Sequence, residues 1–332
     1  MKRLLTKMVF VFLVSVLSAN SIFPGETRVG KKQDNTALEI APATASPDVA
    51  AAAISSVSGY YMNLDGENVC KLNSFDGGAI SAEVINDYSN EGIPEKTLGA
   101  IDYGDVIIQF APNSSTGGGS FLDWIFTEWN GGSQSLSEKD MEIIATDKES
   151  NIVMKRVSPN AQITGASFPT LEASSNSKGP PLYITVGLSP GNIEIEEPSG
   201  KLTGFSSGSS KGLATNRFSL SINGIDCSKV TKIDSFNFTK GTSTPSRSLY
   251  SNLKVTLDDP NPSAWISWQN SLIQNSDNEK SSGTLSFKNL SNQTVASISF
   301  NQLGICSITP PNTSKSNKTV VELYYESIEL QQ

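Results

Sequence analysis

An all-β dominated fold, with one short helix in each of two tandem domains, is what this sequence predicts, on three observations. Only 17% of the residues are charged and 37% are hydrophobic, with Ser, Asn, Thr and Gly crowded between short apolar runs, as suits strands joined by many turns. Apolar and polar residues alternate up to Asp65-Gly66 in one half and up to Asn223-Gly224 in the other, and such a pattern marks a half-buried strand entering a hairpin. The two halves also match each other, so the 332 residues divide into two cores of ordinary domain size.

At the N-terminus Lys2, Arg3 and Lys7 precede an apolar run from Met8 to Leu17, broken only by Ser15 and followed by Ser18, Ala19 and Ser21. Residues 1–21 therefore read as a signal peptide, because the run is too short to span a bilayer comfortably. The mature product is expected to be secreted or periplasmic, with no membrane contact after cleavage. Residues 22–57, with two prolines between Ala41 and Pro47 and four alanines from Ala50, read as a flexible leader. The first domain is then 58–197, and a Gly/Ser-rich linker, 198–215, leads to the second, 216–332.

The repeat runs through the whole of both domains. Tyr61 to Gly66, followed by Cys70, answers Phe218 to Gly224, followed by Cys227. Tyr103 to Phe110 answers Tyr250 to Leu257, and prolines break the chain after each. One short helix per copy follows, with Phe121, Trp124, Ile125 and Trp129 in the first and Trp265, Trp268 and Leu272 in the second. Their spacings of three and four put the aromatics on one face, across a sheet. The step Trp124-Ile125 aligns with Trp265-Ile266. Strands at 141–145, 152–156 and 181–187 answer 283–288, 294–300 and 319–329, and Gly165 to Pro169 aligns with Gly304 to Pro310.

The chemistry is sparse. With no histidine in the chain, Ser-His-Asp and Cys-His catalysis and every His-containing zinc site are excluded. The three cysteines lack a Cys-x-x-Cys spacing, so thioredoxin-like redox chemistry and thiolate zinc are not expected. The glycine-rich run from Thr116 to Ser120 lacks the Gly-Lys-Ser/Thr ending of a phosphate-binding loop. Asp123 and Glu128 fall on different helical faces and read as solvated surface rather than a glycosidase pair. Trp124, Trp129, Trp265 and Trp268 read as helix core packing rather than a ligand platform. No catalytic residue, metal site or cofactor is assigned, and an enzyme is not expected. Cys227 and Cys306 share the second domain and are either a disulfide in an oxidising compartment or buried free thiols. The formal charge of −8 moves to about −11 on signal cleavage, which disfavours specific nucleic-acid binding.

Several segments of the second copy together resemble contractile-phage tail tube proteins and the haemolysin-coregulated (Hcp-like) proteins of type VI secretion. They are Phe218 to Gly224, Cys227 to Phe236, Tyr250 to Val255, Trp265 with Trp268, Gly304-Ile305 and the terminal run Glu322 to Leu330. The resemblance covers most of 216–330 and, more weakly, 58–197. It implies two tandem tail-tube-like β-barrel/sandwich domains, each of two packed antiparallel sheets flanked by one helix. It further implies six-fold rings stacking into a tube, with three chains making a pseudo-hexamer, and other secretion or tail-like components as partners. Assembly is expected on the long connections 76–102 and 238–247, including Phe238, Thr239 and Arg247. The edge of the final strand, 319–330, with Tyr324 and Tyr325, is the other expected surface. The alternative is a monomeric secreted binding module recognising a surface protein or glycan.

Overall fold

The structure is a computed structural model that describes residues 56–89, 92–112, 119–130, 137–174, 179–205, 213–240, 248–275, 279–311 and 317–331. The signal peptide, nearly all of the leader, Arg247 and the centre of the linker lie outside the described residues.

The first copy comprises β1 (Gly59–Leu64), β2 (Glu67–Gly77), β3 (Ile80–Asp87), β4 (Glu95–Tyr103), β5 (Val106–Phe110) and α1 (Gly119–Asn130), then β6 (Lys139–Thr146), β7 (Ile152–Phe168), β8 (Leu171–Glu172), β9 (Ile184–Ser189) and β10 (Glu194–Glu196). Asp65 and Gly66 turn β1 into β2 with φ of 53° and 81°; Asp tolerates and Gly favours that left-handed backbone. The Asp65 carboxylate also accepts from the Asp140 N–H at 3.0 Å and from the Lys139 ammonium, and the Lys139 bond holds its pKa below the usual carboxylate range. Strands β7, β6, β1, β2, β5 and β9 pair antiparallel in that order, and β9 returns onto β7 to close a barrel. Its interior follows from alternation: Val106, Ile108 and Phe110 of β5 and Ile184, Val186 and Leu188 of β9 are buried. Phe110 meets Phe121 of α1 with ring centroids 4.8 Å apart.

The second copy comprises β11 (Phe218–Ile222), β12 (Val230–Ile233), β13 (Phe236–Lys240), β14 (Ser248–Tyr250), β15 (Leu253–Leu257) and α2 (Ser263–Asn275), then β16 (Ser281–Lys288), β17 (Thr294–Thr309), β18 (Thr319–Tyr324) and β19 (Ser327–Gln331). Its sheet runs β11-β16-β17-β18-β15-β12, nearly a barrel, since β11 and β12 do not pair, and β19 lies along the first half of β17.

Irregularities coincide between the copies and fix their correspondence. Against β5, β2 slips between Leu72 and Ser74; against β15, β12 slips between Val230 and Lys232. Against β9, β7 slips between Ile163 and Gly165; against β18, β17 slips between Ile305 and Ser307. Asn160 and Gln302, left-handed at φ 57° and 56°, occupy the same bulge opposite β6 and β16. Gly165 thus answers Ser307 and Ala166 answers Ile308, so the alignment of Gly165 with Gly304 is corrected. The helix alignment is corrected too. Trp124 donates its indole N–H to Ser137 Oγ at 2.7 Å just before β6, and Trp268 to the Glu279 carbonyl at 2.9 Å just before β16. The ring pairs Phe121–Trp124 and Trp265–Trp268 stand 6.0 and 6.2 Å apart. Trp124 therefore answers Trp268, and the repeated Trp-Ile step is coincidental.

The described parts of 198–215 are not a free spacer. Lys201 bridges Asn151, and Leu202 N–H donates to the Ser150 carbonyl at 2.9 Å. Leu182 N–H reaches the Leu213 carbonyl at 2.7 Å. At these points its backbone hydrogen bonds go to the first copy.

Candidate assembly interface

The two copies are joined by strand addition. Residues 232–240 of the second copy run antiparallel along 165–172 of the first. Ile233 and Lys232 pair with Leu171 and Glu172, and Phe236, Asn237, Phe238 and Thr239 pair with Phe168, Ser167, Ala166 and Gly165. β13 thereby extends the sheet of the first barrel. Gly165 makes the approach possible: a Cβ there would lie 2.6 Å from the Phe238 carbonyl oxygen, so a close backbone contact, not a turn, requires this glycine.

Above that seam the end of α1 meets the second copy. The Trp129 ring is fully buried, with centroids 4.6 Å from Phe238, 6.1 Å from Phe236 and 6.0 Å from Phe168. Its indole N–H makes no short hydrogen bond and faces the Tyr325 hydroxyl, whose pKa that contact lowers against the larger effect of burial, so apolar packing is the main hold on the ring. Tyr250 donates its hydroxyl to the Trp129 carbonyl. The Asn130 amide bonds both backbone groups of Ile328, accepting from its N–H at 3.0 Å and donating to its carbonyl, which satisfies part of the β19 edge.

A buried polar network completes the joint. Glu128, 1% exposed, accepts from Ser137 N–H at 3.0 Å, from Ser137 Oγ and from the Lys240 ammonium across the seam. Burial pulls the Lys240 pKa below its ordinary value, the desolvation that the neighbouring carboxylate has to offset. The solvated-surface reading of Glu128 is corrected. Its position four residues after Trp124 and next to Trp129 put it on the inward face, a signal present in the helical spacing.

The expected site residues divide as follows. Trp124, Trp129, Trp265 and Trp268 are buried, with only Trp129 at the joint. Phe238 and Thr239 lie in β13 and are consumed inside the chain, so they present no free assembly loop. Tyr324 and Tyr325 offer no edge: β18 is flanked by β15 and β17, and Tyr325 is buried against Phe300, centroids 5.2 Å apart, which raises its pKa. The Cys227–Cys306 disulfide is absent, and all three cysteines are free. Cys227 precedes β12, whereas Cys306 is the bulge residue of β17, and β15 and β18 stand between them. Three strand spacings amount to about 14 Å, beyond the reach of a disulfide.

Cys306 is exposed rather than buried, its thiol near the Glu322 carbonyl at 3.2 Å. Burial pushes the Cys70 thiol up to about 12 and Cys227 to about 11, so neither is an activated nucleophile. Ellman's reagent at pH 8 is expected to label Cys306 first, Cys227 more slowly and Cys70 only after unfolding. Fast labelling of Cys70 in the native protein would contradict this burial.

Among the described residues no group of three or more acidic or cysteine side chains is placed to hold a metal ion. A cavity between Phe75, Arg156 and Ile193 measures 10 Å³, room for about one water. No helix among the described residues is long and apolar enough to cross a membrane.

No protein-family model matches the sequence, and no curated protein does either. Among solved structures, the chain is similar to a subunit of the sheath-tube complex of an extracellular contractile injection system, PVC, at 19% identity. That match has a TM-score of 0.34 and covers 42% of this chain and 88% of the other. The tube-terminating cap of the anti-feeding prophage is similar at 16% identity and TM-score 0.32, over 42% of this chain and 87% of the other. Hcp1 from Flavobacterium johnsoniae is similar at 14% identity and TM-score 0.25, over 43% of this chain and 99% of the other. At those scores no residue role transfers from any of them to this chain.

Proposed function

We propose that the protein is a structural, non-enzymatic component that self-associates into rings or tubes, three chains supplying six copies of one barrel domain. The observation that carries this reading is the joint inside the chain: the donor ribbon 232–240 and the acceptor strand 165–172 are different surfaces. A contact between unlike surfaces of like units is heterologous, and it repeats until it closes into a ring or runs on as a filament. The chain is therefore one step of such an assembly, made permanent by covalent linkage. On the reading of residues 1–21 as a signal peptide, assembly takes place outside the cytoplasm.

The test is the mass of the mature protein, residues 22–332, in solution at micromolar concentration. Three chains or a multiple of three is expected, with rings visible by negative-stain imaging. A single-chain mass overturns the proposal and favours a monomeric binding module.

A further inference from the structure

Each part of the internal joint has a counterpart that the chain leaves uncovered. On the donor side, Ile80 pairs with Tyr103 across β3 and β4 as Phe238 pairs with Tyr250 across β13 and β14. The Gly104 N–H bond to the Ala79 carbonyl, 2.8 Å, repeats that of Ser251 to Asn237, 2.9 Å. The hairpin β3–β4 is thus the first copy's version of β13–β14. Whereas β13 has added to β7, β3 and β4 form a sheet of two strands with no third among the described residues, leaving Ile80, Val84, Ile85, Leu98 and Ile101 exposed. A two-stranded ribbon is marginal by itself in water, and apolar residues in such a run call for a cover.

On the acceptor side, Ser307, Ile308 and Thr309 answer Gly165, Ala166 and Ser167. Past Leu303, where the pairing with β16 ends, this half of β17 has β18 on one side and no partner on the other among the described residues. The helix correspondence puts Ile273 of α2 where α1 has Trp129. Trp129 is 0% exposed under Phe238, and Ile273 is 74% exposed.

We infer that the β3–β4 hairpin of one chain adds to the β17 edge of a second copy of this chain, with Ile80 opposite Ile308 and lying over Ile273. The inference rests on the self-association proposed above and names its surfaces. Ser81 then faces Ser307 and Ala79 faces Thr309. The cross-chain joint is the lighter of the two. Ala82 and Leu272 stand where Lys240 and Glu128 form their ion pair. Ser307 carries the Cβ that Gly165 omits, so the added strand stands farther off, and Pro310, at the place of Phe168, offers no N–H. A permanent joint thus alternates with a separable, apolar one.

Opposed residues on neighbouring antiparallel strands lie within disulfide reach. In a Cys227→Ser, Cys306→Ser background, Ile80→Cys chains mixed with Ile308→Cys chains are expected to give a covalent two-chain product on oxidation. Ile80→Cys mixed with Leu290→Cys, exposed at the far end of the second copy, is expected to give none. Ile80→Asp and Ile273→Asp, both at exposed positions, are each expected to reduce the assembly to single chains with an unchanged circular dichroism spectrum. Wild-type rings that persist in both Asp variants, with no selective cross-link, overturn this inference and leave self-association standing. A monomeric wild type overturns both.

Discussion

Trp129→Ala is expected to lower stability by about 3–5 kcal/mol and to divide one unfolding transition into two. Trp129 is the largest fully buried side chain of the protein and lies where the copies meet, among Phe168 of one and Phe236 and Phe238 of the other. Truncation leaves a cavity walled by both copies and takes away the ring packed on Phe238, while Phe236 keeps Phe168 and Phe300. The indole N–H makes no short hydrogen bond and gives up only its approach to the Tyr325 hydroxyl, so Trp129→Phe is expected to recover much of the deficit. Urea unfolding followed by far-ultraviolet circular dichroism and by tryptophan fluorescence checks this. The probes should coincide in the wild type, whose residues 53–332 pack as one unit, and separate in Trp129→Ala. A loss under about 1 kcal/mol, or coincident transitions, would refute the role assigned to Trp129, since additive surface positions fall in that range.

Local pattern made much of the fold legible. Alternation in Val106 to Phe110, the turn residues Asp65-Gly66 and Asn223-Gly224, and aromatics at spacings of three and four each depend on neighbours a few residues away. The return of β9 onto β7, which closes the six-strand order, pairs residues 18 to 27 apart and leaves no mark on either strand. The joint between the copies was hidden for the same reason. Phe236 and Phe238 alternate like any inward-facing pair, and nothing nearby tells that the rings they meet include Phe168 and Trp129 of the other domain. Gly165 lies mid-strand, and what requires a glycine there is the Phe238 carbonyl, which approaches too closely for a Cβ. Lys240 lies 112 residues from Glu128, so no spacing rule could pair them. The Trp-Ile step misleads because it is so local: two residues alike in type do not fix the phase of the whole helix, which the hydrogen bonds of Trp124 and Trp268 set.

Lys240→Met is expected to cost about 3–5 kcal/mol, because it strands a buried carboxylate. Glu128 keeps only the two bonds from Ser137 once the ammonium is gone, and it is too deep in the joint for water to replace the third. Adding Glu128→Leu is expected to restore stability to within about 1 kcal/mol of wild type, since apolar side chains in place of a buried ion pair are often neutral or better. In the cross-chain joint inferred above, the corresponding places are taken by Leu272 and Ala82, which carry no charge. Denaturant midpoints of the two single variants and the double variant give the coupling energy; additivity within about 0.5 kcal/mol would mean that the ions do not interact. In the assembly proposed above, the ion pair would also set the choice of partner. If β13 docked on the α2 edge of another chain, Lys240 would be buried against Leu272 without a counter-charge, so the pair holds β13 to its own first copy and leaves the β17 edge for β3–β4. The double variant should therefore be stable yet less discriminating, with a broadened mass distribution, while a stable double variant of unchanged, single mass would show that docking is chosen by shape alone.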